Sequence, residues 1–143
     1  MAFTEADIRA MVADWYVALD RHVELAEALT YLVDDGLEMR FPEATERGHA
    51  GFAEWYKAVT HRFFDEIHTL TSVRITTLTP DRAELTVVVN WQASIWNPPA
   101  PKSVWLGFDA EQTWEVVPGP GGRPLIKTYI VDALKPMPGS GSL

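Results

Sequence analysis

The sequence predicts an α+β fold, with helices segregated to one side of a curved, mainly antiparallel sheet, and three observations carry that expectation. Apolar residues recur at helical spacing as far as Phe63. From His68 onward the period changes to two, and the runs are long. Helices come first and strands last, the order of a fold in which the two are layered rather than alternated. The chain has 143 residues, 47% of them hydrophobic, with six Trp, four Tyr and six Phe and no Cys. A chain of that length is the usual size of one domain, and this apolar content fills a core without disulfides.

Thr4 followed by Asp7 reads as a helix N-cap, and Ile8, Met11, Val12, Trp15, Tyr16 and Leu19 fall on one helical face. The first helix is expected over about 5–19. After a break at Asp20-Arg21-His22, the stripe Val23, Ala26, Leu29, Leu32 and Val33 predicts a second helix that stops at Asp34-Asp35-Gly36. Leu37, Met39 and Phe41 alternate with Glu38 and Arg40, a strand ended by Pro42. A polar loop follows, and then Phe52, Tyr56, Val59 and Phe63 mark the inner face of a third helix.

In the strand region Val73, Ile75 and Thr77 share one face, and Pro80-Asp81-Arg82 forms a turn. Leu85, Val87, Val89, Trp91, Ala93 and Ile95 share a face of the next strand, and Pro98, Pro99 and Pro101 interrupt the sheet. Val104, Leu106, Phe108, Ala110, Gln112, Trp114 and Val116 do so on the third strand. Pro118-Gly-Pro-Gly-Gly turns into a last strand over 124–134. The expected domain is 1–135, with 136–143 a flexible Gly-Ser tail outside the fold.

Twelve basic residues against twenty acidic ones give a net charge of −8, and the cations are scattered. Nucleic acid is therefore not an expected partner, because phosphate binding needs clustered Lys and Arg. No apolar run approaches a membrane span, and the N-terminus lacks the order of a signal peptide, so a cytoplasmic location is expected. The four histidines, at 22, 49, 61 and 68, have no metal-ligand spacing, and no metal or other cofactor is expected. Gly119-Pro-Gly-Gly lacks the Gly-Lys-Ser/Thr ending of a phosphate loop, and no Gly-x-Ser-x-Gly elbow occurs.

The element order, the run Tyr-Val-Ala-Leu-Asp at 16–20, then Glu24-Leu25 and Leu32-Val-Asp-Asp-Gly36, resembles the nuclear transport factor 2-like superfamily. That superfamily includes SnoaL-type cyclases, ketosteroid isomerases and scytalone dehydratases. Gly48, His68 and Asp81-Arg82-Ala83 also stand where its pattern places such residues, and the resemblance covers about 5–134. It implies a cystatin-like, cone-shaped half barrel enclosing an apolar pocket, with homodimers formed through the outer sheet face. Val88, Trp96 and Trp105 on the faces opposite the main apolar ones agree with a sheet covered on both sides.

By the resemblance, Tyr16 falls on a tyrosine that donates to a substrate oxyanion. The residues themselves also allow a core phenol with its hydroxyl bonded to backbone. The isomerases' general-base Asp is Phe41 here and their second donor is Gln112, so that route is not retained. His68 aligns with a dehydratase acid-base histidine and Asp20 with its helix-end aspartate, whereas the neighbouring tyrosine is Leu19. Equally, Asp20 could cap the second helix and His68 could simply open a strand.

Polar residues on apolar faces are a second route to a site. Gln112 lies between Ala110 and Trp114, where an amide needs partners. Asn90 and Gln92 point together, either into a pocket or toward a partner subunit. Asp132 between Ile130 and Leu134 is either a raised-pKa base or a solvated strand-end residue, and Glu38 and Arg40 can pair. The expectation is a pocket for a small apolar cyclic ligand, shaped by Trp15, Trp55, Trp91 and Trp114. His68 would be acid-base group, Asp20 its orienter, and Tyr16, Asn90 and Gln112 the carbonyl-polarising donors of a cofactor-independent lyase, isomerase or cyclase. The alternatives are a noncatalytic binding or accessory subunit and a protein-interaction module.

Overall fold

The structure is a computed structural model and describes residues 3–143. The first helix, α1 (Glu5–Asp20), starts at the expected cap. Thr4 is extended, its Oγ1 accepts the Asp7 N–H at 3.2 Å, and it donates to the Asp7 carboxylate at 2.8 Å. One otherwise orphaned amide is thereby satisfied, and Glu5 and Asp7 set negative charge at the positive end of the helix. The stripe from Ile8 to Leu19 is buried against the sheet. The helix closes with a Schellman turn, in which Val23 N–H reaches Ala18 O at 3.3 Å and His22 N–H reaches Leu19 O at 3.1 Å. His22 takes the left-handed position, φ 48, where a Cβ costs about 1–2 kcal/mol and glycine is usual.

The second helix is shorter than its apolar stripe. The element α2 spans only Leu25–Leu29. Residues beyond it are drawn into pairing with the last strand: Ile126 N–H donates to Tyr31 O at 2.8 Å, and Val33 N–H to Ile126 O at 3.0 Å. Tyr31 and Val33 are weak helix formers, so the tertiary bond prevails over the periodicity. Strand β1 (Glu38–Arg40) follows as expected, but it forms a hairpin with β2 (Thr45–Arg47), which the sequence shows only as polar loop. Three residues are too few for alternation to register. Arg40 Nε donates to Glu38 at 2.5 Å and Arg47 at 2.6 Å, which holds the Glu38 carboxyl below its ordinary value. The third helix, α3 (Gly48–Arg62), begins earlier than its apolar face, at a glycine with φ 66. Asp34 Oδ1 accepts the His49 N–H at 2.9 Å and so supplies the cap that Arg47 lacks.

Strands β3 (Phe63–Leu78), β4 (Ala83–Ile95), β5 (Val104–Pro118) and β6 (Pro124–Pro136) form an antiparallel meander. β1 joins β6 in parallel, giving a curved, open mixed sheet in the order β2-β1-β6-β5-β4-β3. The expected inner faces of β4 and β5 are the observed ones: Leu85, Val87, Val89, Leu106, Ala110 and Trp114 are buried. Phe63 belongs to β3 rather than to the third helix, and β3 starts before His68. The residues 137–141, expected to stand outside the fold, run beside β5 instead. Met137 N–H donates to Gly107 O at 2.8 Å and Gly141 N–H to Trp105 O at 3.0 Å, satisfying carbonyls that β6 no longer pairs. No helix among the described residues is long and apolar enough to cross a membrane.

Candidate active site

The concave face of the sheet, α3 and Phe41 enclose a cavity of about 760 Å³. Its walls are aromatic: Phe41 and Trp55 stack at 3.9 Å, and Trp91 packs edge-on against Phe63 at 5.0 Å. Exposed Glu43, Glu54 and Arg62 border it where it meets solvent, and Glu43 accepts the Trp55 Nε1–H at 3.0 Å.

His68 stands on the β3 wall. Asp20, the last residue of α1, accepts the His68 backbone N–H on Oδ2 at 2.9 Å and lies 2.6 Å from Nδ1 through Oδ1. A carboxylate only accepts, so the proton of the neutral ring sits on Nδ1 and Nε2 is left as the basic atom at the cavity wall. Tyr16 stacks on the imidazole at 4.8 Å. Asp20 does not cap α2, whose N-cap is Glu24.

The second polar group is built around Gln112, 5% exposed. Trp114 Nε1 donates to its Oε1 at 2.8 Å, and because an indole nitrogen only donates, that bond fixes which end of the amide is oxygen. Tyr16 donates to the same oxygen at 3.0 Å, and its own oxygen accepts from the Tyr129 hydroxyl at 3.2 Å. The cavity therefore meets the Gln112 amide as a donor and the Tyr129 oxygen as an acceptor.

Several expected positions are corrected by depth. His68, Trp55, Trp91 and Gln112 line the cavity. Tyr16 lies behind Gln112 with its hydroxyl committed, and Trp15 and Trp114 are core residues at 0% and 1% exposure. Trp15 packs on Tyr31, Phe52 and Tyr129, and among the described residues its Nε1 has no partner. Asn90 points to the opposite face of β4, donating to Asp109 at 2.9 Å, because it alternates with the inward Val89 and Trp91. Asp132 is exposed and accepts from Thr113 at 2.7 Å. Sequence reasoning missed Tyr129 and Glu66, both on the cavity wall. Glu66 stands two residues before His68, a spacing that shares a strand face, but the strand was expected to open only at His68. Among the described residues no group of three or more His, Cys, Asp or Glu is arranged to hold a metal ion.

Burial, and then Tyr129, holds the Tyr16 phenol well above its ordinary value of 10.0, and burial likewise raises Tyr129. Above about pH 10 the unfolded chain loses these protons while the folded one keeps them. The unfolded state then binds fewer protons, so stability, fully present below that pH, falls as pH rises toward the folded values. The slope is up to about 1.4 kcal/mol per pH unit for each phenol. Denaturant melts across the alkaline range are expected to show this decline, shallower in Tyr16→Phe; an identical slope in the variant contradicts it.

Residues 2–124 match the family model described as SnoaL-like domain. No curated protein matches the chain. Among solved structures, a scytalone dehydratase-like protein of Novosphingobium aromaticivorans superposes with a TM-score of 0.77 at 16% identity, covering 96% of this chain and 88% of that one. The hexachlorocyclohexane dehydrochlorinase LinA-type3 of Novosphingobium barchaimii gives 0.75 at 18% identity, covering 96% and 92%. A cystatin-like protein of Nostoc punctiforme gives 0.72 at 15% identity over 100% of both chains. At these identities the structural likeness establishes the fold.

Proposed function

Because the chain belongs to the SnoaL-like domain family, within the nuclear transport factor 2-like superfamily, we propose that its cavity houses a cofactor-independent lyase or isomerase. The substrate is a small, largely apolar cyclic molecule. One observation carries this reading: the imidazole of a residue lining an aromatic cavity is held through Nδ1 by a carboxylate at 2.6 Å. His68 acts as general base toward a carbon-bound proton. Asp20 fixes its tautomer and stabilises the imidazolium that forms. The Gln112 amide, held by Tyr16 and Trp114, donates to the oxygen on which negative charge develops. Similar structures named as a scytalone dehydratase-like protein and a hexachlorocyclohexane dehydrochlorinase support elimination as the reaction class. A second copy of the chain covers the outer sheet face, where Trp105 is 38% exposed.

The test is elimination from a panel of cyclic alcohols, hexachlorocyclohexane and a nitro-activated benzisoxazole, whose ring opens when a base removes its C–H proton. Asp20→Asn is expected to slow ring opening about 10²-fold, the lower end of what a positioned general base contributes, because the amide no longer fixes the Nδ1–H tautomer. Binding of the probes without any turnover would instead assign the cavity to a noncatalytic carrier.

A further inference from the structure

A phenol carries one proton, and the polar cluster at the cavity wall contains two phenols whose protons can both be traced. Burial holds Tyr16 and Tyr129 above their ordinary values, so both are neutral at physiological pH. The Trp114 Nε1–H bond fixes Oε1 as the oxygen of Gln112. Because that oxygen has no proton, its 3.0 Å contact with Tyr16 uses the Tyr16 proton. The 3.2 Å contact between the two phenol oxygens is then bridged by the proton of Tyr129.

What is left for a ligand follows from that order. All side-chain bonds of Gln112 among the described residues are made through Oε1, although the residue is only 5% exposed. The one sealed side-chain nitrogen or oxygen without a partner among them is Trp15 Nε1. The amide nitrogen of Gln112 is therefore not closed off in the core, and it opens on the cavity that the residue lines. Tyr129 lines the same cavity from β6, where it pairs with Trp114 of β5. Its proton is turned to Tyr16 and Trp15 Nε1 makes no bond to it, so any part of its oxygen that meets a ligand is a lone pair. Gln112 and Tyr129 are both tied to the one Tyr16 hydroxyl, which sets a donor and an acceptor side by side.

We propose that Gln112 and Tyr129 form a seat for a hydroxyl group on a small apolar ring, so that the cavity selects a cyclic alcohol over the ketone or halide of the same skeleton. A hydroxyl oxygen accepts from Gln112 Nε2 while its own proton goes to the Tyr129 oxygen. A carbonyl, ether or halide only accepts; it satisfies Gln112 and turns a second lone pair toward Tyr129. Sites built to hydrogen-bond a hydroxyl reject analogues that lack it, because their buried polar groups are then left unpaired. The inference deepens the proposed function by naming the substrate class. It rests on the cavity being a site for apolar cyclic molecules, and it holds whether or not His68 is a base.

Three probes of one skeleton, 2-indanol, 2-indanone and indane, test the seat by calorimetric titration. The probes differ in the cost of removing them from water, so the informative quantity is the change in an affinity ratio between wild type and variant. Tyr129→Phe keeps the ring and removes the lone pair. It is expected to shift the alcohol-to-ketone ratio about tenfold toward the ketone, the worth of one net hydrogen bond. Gln112→Met keeps the side-chain length and a weak acceptor for Trp114 but removes the donor. The advantage of both oxygen-bearing probes over indane is expected to fall about tenfold. Thermal melting checks that each variant is folded, and Tyr129→Phe, which disturbs fewer bonds, is sufficient alone. A ratio in Tyr129→Phe within twofold of the wild type overturns the proposal. So does a shift toward the alcohol, which would make Tyr129 a donor to the ligand. If none of the three probes binds the wild type, the cavity is not a site for apolar rings and this inference falls with that reading. A protein that binds the alcohol selectively, loses that selectivity in Tyr129→Phe and turns nothing over keeps the seat and loses the assignment as an enzyme.

Discussion

His68→Ala is expected to reduce opening of the nitro-activated benzisoxazole by about 10³-fold while leaving the fold intact, within the range that a positioned general base contributes. The reason lies in how the ring is held. Asp20 takes both the His68 backbone N–H and its Nδ1, so the strand and the imidazole are fixed to the end of α1 by one carboxylate. Alanine keeps the backbone bond and loses only the ring and its stacking on Tyr16. The side chain is 12% exposed, so its removal opens space continuous with the cavity rather than an enclosed void. Stopped-flow absorbance of the phenoxide product gives the rate, and thermal melting gives the fold. A variant that melts like the wild type and turns over within threefold of it would remove His68 from the chemistry.

Trp114→Ala is expected to destabilise the protein by about 3–5 kcal/mol, the usual cost of emptying a buried tryptophan site. The indole is 1% exposed and packs on Tyr129 at 4.9 Å and Tyr16 at 6.0 Å. For a domain of ordinary stability, about 5–15 kcal/mol, that loss is a large fraction of the total. Denaturant titration measures it, and a midpoint shift corresponding to less than about 1 kcal/mol would show that the site collapses. Trp114→Phe separates packing from polarity. Phenylalanine keeps most of the ring but not the Nε1–H, so Gln112 loses one of the two donors that orient its amide and keeps only the Tyr16 hydroxyl. A loss of about 1–2 kcal/mol is expected from the missing bond. Turnover should fall as well, since a single hydroxyl then holds the amide oxygen away from the cavity.

The inner faces of β4 and β5 were legible because alternation is a property of the strand itself: Leu85 to Ile95 and Leu106 to Val116 point as their pattern requires. The N-cap at Thr4 was legible for the same reason, since cap and amide lie three residues apart. The shortness of α2 and the hairpin of β1 with β2 were not. Those segments are decided by partners remote in the chain, Ile126 for the residues after α2 and β6 for β1.

The sequence by itself determined the α+β order, the face of each long strand, and the residue types a proton-transfer site needs, His68, Asp20 and Gln112 among them. Only the tertiary structure decided depth and convergence. It set Tyr16 behind Gln112, Trp15 and Trp114 in the core, Asn90 on the outer face, and Glu66 beside His22 at the cavity wall. The physical reason is range. Periodicity and capping act over a few residues and leave a signature in the sequence, whereas Asp20 and His68 meet across a separation of 48 and Tyr16 and Gln112 across 96. Bulges add to this, because the single extra residue at Asp65 reverses the strand's facing without altering the hydrophobic pattern on either side of it.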